Sequence, residues 1–297
     1  MIAAIDCGTN TIKLLIGDLP EVAVREARMV RLGEGVDRTG RLGDEALART
    51  FAAIEEYAEL VAAHDVTRIR FCATSATRDS ANAQDFSDGV FARLGVRPEV
   101  LAGEEEAALA FAGAVRNLAS RPDEPVLVVD IGGGSTELVL GTSAPTAAHS
   151  MDIGSVRLHE RHLHDDPPTA AQVAACVTDI DAALDASPVV IGEAATVVGV
   201  AGTVTTVAAG VLDLPVYARE AIDQQVLAVS AVHDLVDRLV AMPVAERLTL
   251  GYLHPGRADV IDAGALILSR VLRRSGVATL LVSESDILDG IAWSITP

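Results

Sequence analysis

The chain has 297 residues, 50% of them apolar, with a formal net charge of −19 and three cysteines. That length and apolar content are comfortable for two hydrophobic cores and long for one. The acidic balance excludes a general nucleic-acid or anionic-membrane surface, because such partners select clustered Lys and Arg, so any polyanionic ligand has to meet a local positive track.

The pattern opens with strands at 2–6, 11–17 and 22–31, followed by a link through Gly33, Gly35, Gly40 and Gly43. Asp44 can cap a helix in which Leu47, Phe51, Ile54, Ala58 and Val61 recur at helical spacing. A strand at 68–72, a Thr-Ser turn, a helix at 80–94, a strand at 97–101 and a helix at 104–118 complete the first half. The polar, twice proline-interrupted segment 119–125 reads as a linker, which divides the chain into residues 1–121 and 122–297. The second half repeats the opening with strands at 126–130, 136–141 and 145–151, then helices at 154–163 and 169–185. Residues 194–212 carry no charge and are long enough to span a bilayer. Three glycines, four threonines and the acidic flanks Glu193 and Asp213 favour instead a strand, a Gly-Thr turn and a buried helix, hence no membrane partner. Helices at 229–241, 243–248 and 257–274, a strand at 278–282 and a closing helix from 286 follow.

Cys7, Cys72 and Cys176 have no metal-ligand spacing and sit in or beside apolar segments, as reduced thiols do. With Asp6 inside the opening strand and no basic flank, the N-terminus does not read as an export signal, and a cytoplasmic location is expected.

Two segments carry the chemistry. Asp6-Cys7-Gly8-Thr9-Asn10-Thr11 and Asp130-Ile131-Gly132-Gly133-Gly134-Ser135-Thr136-Glu137 each end an apolar strand in an aspartate, turn through Gly and hydroxyl residues, and re-enter an apolar run. Glycine lets backbone N–H groups approach a phosphate, and Thr9, Asn10 and Ser135 add side-chain donors. Asp6 and Asp130 repel a bare phosphate and so imply a bridging cation, Mg²⁺ first. The repetition points to two related lobes around a cleft.

Other motifs have two readings each. Thr74-Ser75-Ala76-Thr77-Arg78 offers hydroxyls and a planar guanidinium to a terminal phosphate, and equally fits a capping turn with a surface arginine. Glu104, Glu105 and Glu106 complement a helix dipole, or place a general base at a helix start. Gly202 and Thr203 open a helix after a strand, as an anion site or as close backbone packing. Arg257 is an anion ligand or a partner for Asp259. His159, His162 and His164 miss the zinc-protease spacing and read as an exposed helix end.

Taken in order, these motifs, with Gly154-Ser155-Val156-Arg157, Gly202-Thr203-Val204-Thr205-Thr206 and Arg257-Ala258-Asp259, resemble the exopolyphosphatase/guanosine pentaphosphate phosphohydrolase family over nearly the whole chain, in its short two-domain form. The resemblance implies an α/β, duplicated actin-like fold of the sugar-kinase, heat-shock ATPase and ribonuclease H kind, two lobes closing on a phosphate chain. It further implies that Glu106, or less favourably Glu105, activates water. Asp130 and Glu137 would hold Mg²⁺ or water, with Asp6 as a further metal ligand and Mn²⁺ as a substitute ion. Gly8, Thr9, Asn10, Arg78, Gly133, Gly134, Ser135, Gly202, Thr203 and Arg257 would grip phosphate, and Lys13 and Arg157 would extend the positive track. Two departures stand out: Thr9 replaces the family's serine, and the segment from Ser283 to Gly290 lacks the family's Leu-Arg pair.

The activity expected is release of terminal orthophosphate from inorganic polyphosphate. The alternatives are 5′-phosphohydrolysis of guanosine pentaphosphate and, in a different class, an actin-like ATP-binding regulatory protein. A homodimer is expected from the resemblance alone.

Overall fold

A computed structural model describes residues 1–296, which form two compact units. One comprises residues 1–113 and the segment from Ile287 onward; the other comprises Ala114–Asp286.

In the first unit, β1 (Ile2–Cys7), β2 (Thr11–Asp18) and β3 (Glu21–Met29) form an antiparallel meander. Beside β1 runs the parallel strand β4 (Arg68–Ala73), followed by β5 (Glu99–Val100), giving the order β3-β2-β1-β4-β5. All six residues of β1 are buried because the sheet is covered on both faces. Strand periodicity sorts them: Ala3, Ile5 and Cys7 join a core with Ile12, Leu14, Phe71, Ile54 and Phe86, supplied in part by the helices Asp44–Ala63 and Ala83–Leu94. Ile2 and Ala4 point the other way, into a smaller core with Leu15, Cys72, Ala110, Leu288 and Ile291. That second core fastens the helices Gly103–Arg116 and Ile287–Ile295 to the sheet. Each such leucine or isoleucine taken fully out of water contributes about 1.5–3 kcal/mol.

The second unit repeats the plan. Strands β6 (Val126–Ile131), β7 (Thr136–Gly141) and β8 (Pro145–Met151) form the meander, β9 (Thr196–Val200) lies parallel to β6, and β11 (Thr279–Val282) lies parallel to β9. A three-residue strand, β10 (Val226–Ala228), edges the sheet, whose order is β10-β11-β9-β6-β7-β8. The helix Ile261–Ser275 is buried along most of its length against the helices Ser155–His162, Ala170–Ala186 and Val229–Ala241. The duplication extends to register: Asp6 faces Lys13 across β1 and β2, and Asp130 faces Glu137 across β6 and β7.

Several sequence expectations are amended. The closing helix packs in the first unit, not the second, because its apolar face (Ile287, Leu288, Ile291, Ala292) completes the small core beneath β1. The other division falls within the helix Gly103–Arg116, ahead of the proline-rich segment expected as the linker. The strand at 97–101 shrinks to two residues, since Pro98 has no N–H for the ladder. The helix at 257–274 starts only at Ile261, after a single 3₁₀ turn at Pro255–Arg257. The uncharged stretch 194–212 divides into β9 and the helix Ala201–Val211, and among the described residues no helix is long and apolar enough to cross a membrane.

Candidate active site

In the first unit the turn after β1 is closed by a hydrogen bond from Gly8 N–H to the Thr11 carbonyl, 3.0 Å. The Thr9 hydroxyl lies 2.9 Å from that of Ser75, which opens the single helical turn Ser75–Arg78. The Thr9 carbonyl accepts from Gly33 N–H and the Asn10 carbonyl from the N–H groups of Val30 and Arg31, so the glycine-rich link fixes the turn from behind. Asn10 and Thr77 keep buried side-chain oxygens, Oδ1 and Oγ1, without a hydrogen-bond partner. Such groups cost about 1–3 kcal/mol each when left unsatisfied.

Arg78, at the end of that turn, donates from Nη1 to Glu106 Oε2 and to the Leu101 carbonyl, both at 2.9 Å. Glu106 is 6% exposed, in the first turn of the helix Gly103–Arg116. Burial pushes its carboxyl up to about 7, against the opposing pull of Arg78 and with small upward pushes from Asp6 and Asp79. A carboxyl poised there exchanges protons at neutral pH, as a general base must. Glu105 does not share this setting: it is exposed and receives a hydrogen bond from Arg70, 2.8 Å, on the protein surface. Asp6, expected at a metal, is buried and lies 3.4 Å from the Lys13 ammonium, which also places Lys13 in an ion pair.

The second unit's turn is built differently. Gly132 N–H donates to the Ser135 carbonyl, while the carbonyls of Gly132 and Gly133 accept from the N–H groups of Ser155, Val156 and Arg157. The start of the helix Ser155–His162 is thus capped by the turn itself. Gly154 makes this possible: a Cβ there would come within 2.5 Å of the Gly133 carbonyl carbon and 2.6 Å of Gly134 N. Arg157 adds a hydrogen bond from Nε to the Gly134 carbonyl, 2.8 Å, so it braces the turn. Behind the turn, Asp130 and Glu137 form a directly opposed, buried carboxylate pair, with Ser150 donating to Glu137 Oε1 at 2.8 Å. Ser135 is buried beside them in the sequence of the turn.

The structure also brings Gly202 and Arg257 together, the guanidinium lying where a Cβ on Gly202 would stand. The adjacent Ala201 is held at φ 65°, a left-handed conformation that costs a non-glycine residue about 1–3 kcal/mol. Thr203 is buried in the first turn of the same helix. Burial lowers the pKa of Arg257, opposed by Tyr217, Glu284 and Asp286, residues that no motif associates with it. Tyr217 and Glu284 are joined by a 2.5 Å hydrogen bond across 67 residues of chain, and no local pattern announces such a pair. The histidine segment is less exposed than expected: His159 approaches the buried Asp262 at 3.8 Å and His162 bonds to Asp179 at 2.9 Å.

Among the described residues no three His, Cys, Asp or Glu side chains gather into a cage for a metal. Mg²⁺ needs none, since it is commonly bound through one or two carboxylates, water and the substrate's own phosphates. The directly opposed, buried Asp130 and Glu137 offer carboxylates for that mode.

The model of the Ppx/GppA phosphatase family matches residues 14–295. The chain belongs to this family. It is 46% identical to exopolyphosphatase 2 of Mycobacterium tuberculosis, over 99% of the chain and 98% of the relative. Among solved structures, an exopolyphosphatase-like protein superposes with a TM-score of 0.97 at 42% identity, covering 99% of this chain and 98% of its own. An exopolyphosphatase from Cytophaga hutchinsonii superposes with a TM-score of 0.90 at 27% identity, covering 99% and 97%. As a Ppx/GppA phosphatase the chain is a hydrolase of phosphoric anhydrides, on the duplicated α/β fold whose two meanders are described above.

Proposed function

We propose that the protein is an exopolyphosphatase, removing terminal orthophosphate from inorganic polyphosphate with Mg²⁺. The observation that carries the reading is Glu106, a buried carboxyl held near neutrality and hydrogen-bonded to Arg78, next to hydroxyl-rich turns in a family of phosphatases. Its relatives include proteins named exopolyphosphatase at full-length coverage.

In this mechanism Glu106 takes a proton from water as the water oxygen attacks the terminal phosphorus. The bond from that phosphorus to the bridging oxygen breaks, and the bridging oxygen leaves with the shortened chain. Thr9, Asn10 and the Gly8 backbone supply donors to phosphate oxygens in the first unit's turn, and the second unit's turn, through Gly133, Gly134 and Ser135, carries donors of the same kind. Arg78, hydrogen-bonded to Glu106, offsets charge on the transferring group, Arg257 is the cation of the second unit's Gly202 turn, and positioning with charge neutralisation supplies most of the rate in such reactions. Asp130 and Glu137 would hold Mg²⁺, which when bound neutralises phosphate charge. The three buried free thiols fit a reducing cytoplasm.

Orthophosphate release from polyphosphate, guanosine pentaphosphate and ATP, measured side by side with Mg²⁺, tests the proposal. Turnover of polyphosphate with the highest kcat/KM is expected. Preference for guanosine pentaphosphate would replace the substrate assignment, and absence of release from all three would overturn the enzymatic reading in favour of a binding or regulatory protein.

A further inference from the structure

The helix that carries Glu106 is held against the closing helix at one unusually close point. A Cβ built on Gly290 would overlap the Leu109 carbonyl oxygen and come within 2.7 Å of its carbonyl carbon. Only a residue without a side chain lets the two backbones approach this far. Leu109 stands three residues after Glu106, one helical turn away, in the helix Gly103–Arg116. A push on the Leu109 backbone is therefore transmitted along a hydrogen-bonded helix to the first turn, where Glu106 N–H donates to the Ala102 carbonyl at 2.9 Å.

The closing helix is itself firmly seated. Its Asp289, 3% exposed, receives both terminal nitrogens of Arg25 from β3, with Nη1 to Oδ2 at 3.2 Å. Its Ile287, Leu288, Ile291 and Ala292 share one core with Ala110 of the helix bearing Glu106 and with Ile2 and Ala4 of β1, the strand that ends in the Asp6 turn. Sheet, closing helix and base-bearing helix thus meet around a single small core, so the closing helix cannot shift its contact with Leu109 by sliding away.

We propose that Gly290 is a positioning residue for the reaction: its missing side chain sets the seat of the base-bearing helix, and through it the place of the Glu106 carboxylate relative to Arg78 and the phosphate turn, with Asp289 and Arg25 fixing the closing helix that makes the contact. The inference rests on the reading of Glu106 as general base, yet its structural core, the coupling of Gly290 to the Glu106 environment, is measurable without substrate. The groups that face Glu106 electrostatically are Arg78, Asp6 and Asp79, and a displaced helix alters its distance to each.

The decisive experiment is a carbon-13 NMR titration of the Glu106 carboxyl, assigned by its loss in Glu106→Gln, in wild type, Gly290→Ala and Asp289→Asn. Alongside it, kcat, KM and the pH–rate profile for polyphosphate are measured. The Gly290→Ala midpoint should move by at least half a pH unit from the wild-type value, and kcat should fall about tenfold or more while KM changes less, since small misplacements of a reacting group are costly. Asp289→Asn, which keeps the side chain's shape but weakens the Arg25 anchor, should move both quantities in the same sense by less, and serves if Gly290→Ala does not fold. Val90→Ala, in the core on the opposite face of the sheet, is the control for lost stability and should leave the midpoint unchanged. An unshifted Glu106 midpoint in a folded Gly290→Ala or Asp289→Asn protein overturns the coupling, whatever the activity. A shifted midpoint with no turnover in wild type would overturn the assigned function while leaving the coupling established.

Discussion

Arg78 donates one hydrogen bond to Glu106 and another to the Leu101 carbonyl, each 2.9 Å long, so one guanidinium ties the hydroxyl-rich turn to the approach of the base-bearing helix. Burial raises the Glu106 carboxyl and the arginine opposes that rise, leaving it at about 7. Glu106→Gln keeps the shape and an acceptor for Arg78 but cannot take a proton. Its kcat on polyphosphate should fall about 10²–10⁴-fold. The wild-type rate should rise through an acid limb near pH 7, and that limb should vanish in the variant. Glu105→Gln, on the exposed side beside Arg70, should stay within about twofold of wild type, because an exposed pair of this kind contributes roughly 0–1 kcal/mol. Equal losses in the two variants would remove the distinction between them.

The same carboxyl makes stability depend on pH. Its folded pKa, about 7, lies above the ordinary value of 4.5, so the folded state binds the proton more tightly than the unfolded chain. The stabilisation is fully present below pH 4.5 and is lost as pH rises through 7, up to about 3 kcal/mol for a shift of this size. Glu106→Gln should therefore be more stable than wild type at pH 8, with the difference shrinking towards pH 5. Urea unfolding at the two pH values measures it, and a difference that grew on acidification would contradict the assigned burial.

Gly154→Ala forces a methyl group against the Gly133–Gly134 backbone, where no flexible side chain is available to yield. Overpacking of this kind costs about 1–3 kcal/mol, and here it deforms the turn that presents Gly133, Gly134 and Ser135. A loss of more than tenfold in kcat/KM is expected together with a lowered melting temperature. Gly43→Ser, at the cap of the helix Asp44–Ala63 with open space around its Cβ, should not lower the melting temperature. A Gly154→Ala protein with wild-type kinetics would show that the turn does not bind substrate.

Much of this fold was legible because both sheets announce themselves twice over, as apolar runs ending in an aspartate and a glycine turn. Legibility failed where long-range packing decides. The closing helix reads as apolar from its sequence, but nothing local says that its leucine and isoleucine fill the core under β1 rather than one in the second unit. The choice between Glu105 and Glu106 is likewise invisible in a row of three acids, and is made by which face of the helix meets Arg78 and which meets Arg70. The Tyr217–Glu284 pair beside Arg257 brings together side chains from separate segments, so periodicity carries no trace of it.

The register match between the two hairpins gives the last prediction. Asp6 faces Lys13, and the equivalent Asp130 faces Glu137, so the duplicated position carries a neutralising lysine in one unit and a second carboxylate in the other. An opposed buried carboxylate pair is the stronger attractor for a divalent cation, whereas the aspartate beside lysine already has its counter-charge within 3.4 Å. Chelation should abolish turnover and Mg²⁺ should restore it. Glu137→Gln, which removes one charge while keeping an acceptor for Ser150, should raise the Mg²⁺ concentration for half-maximal activity at least tenfold. Asp6→Asn, whose carboxylate has the Lys13 ammonium at 3.4 Å, is expected to leave that concentration within about threefold of wild type. The reverse pattern, with Asp6→Asn shifting the Mg²⁺ requirement and Glu137→Gln not, would move the metal to the first unit and assign Glu137 to holding the strand pair alone.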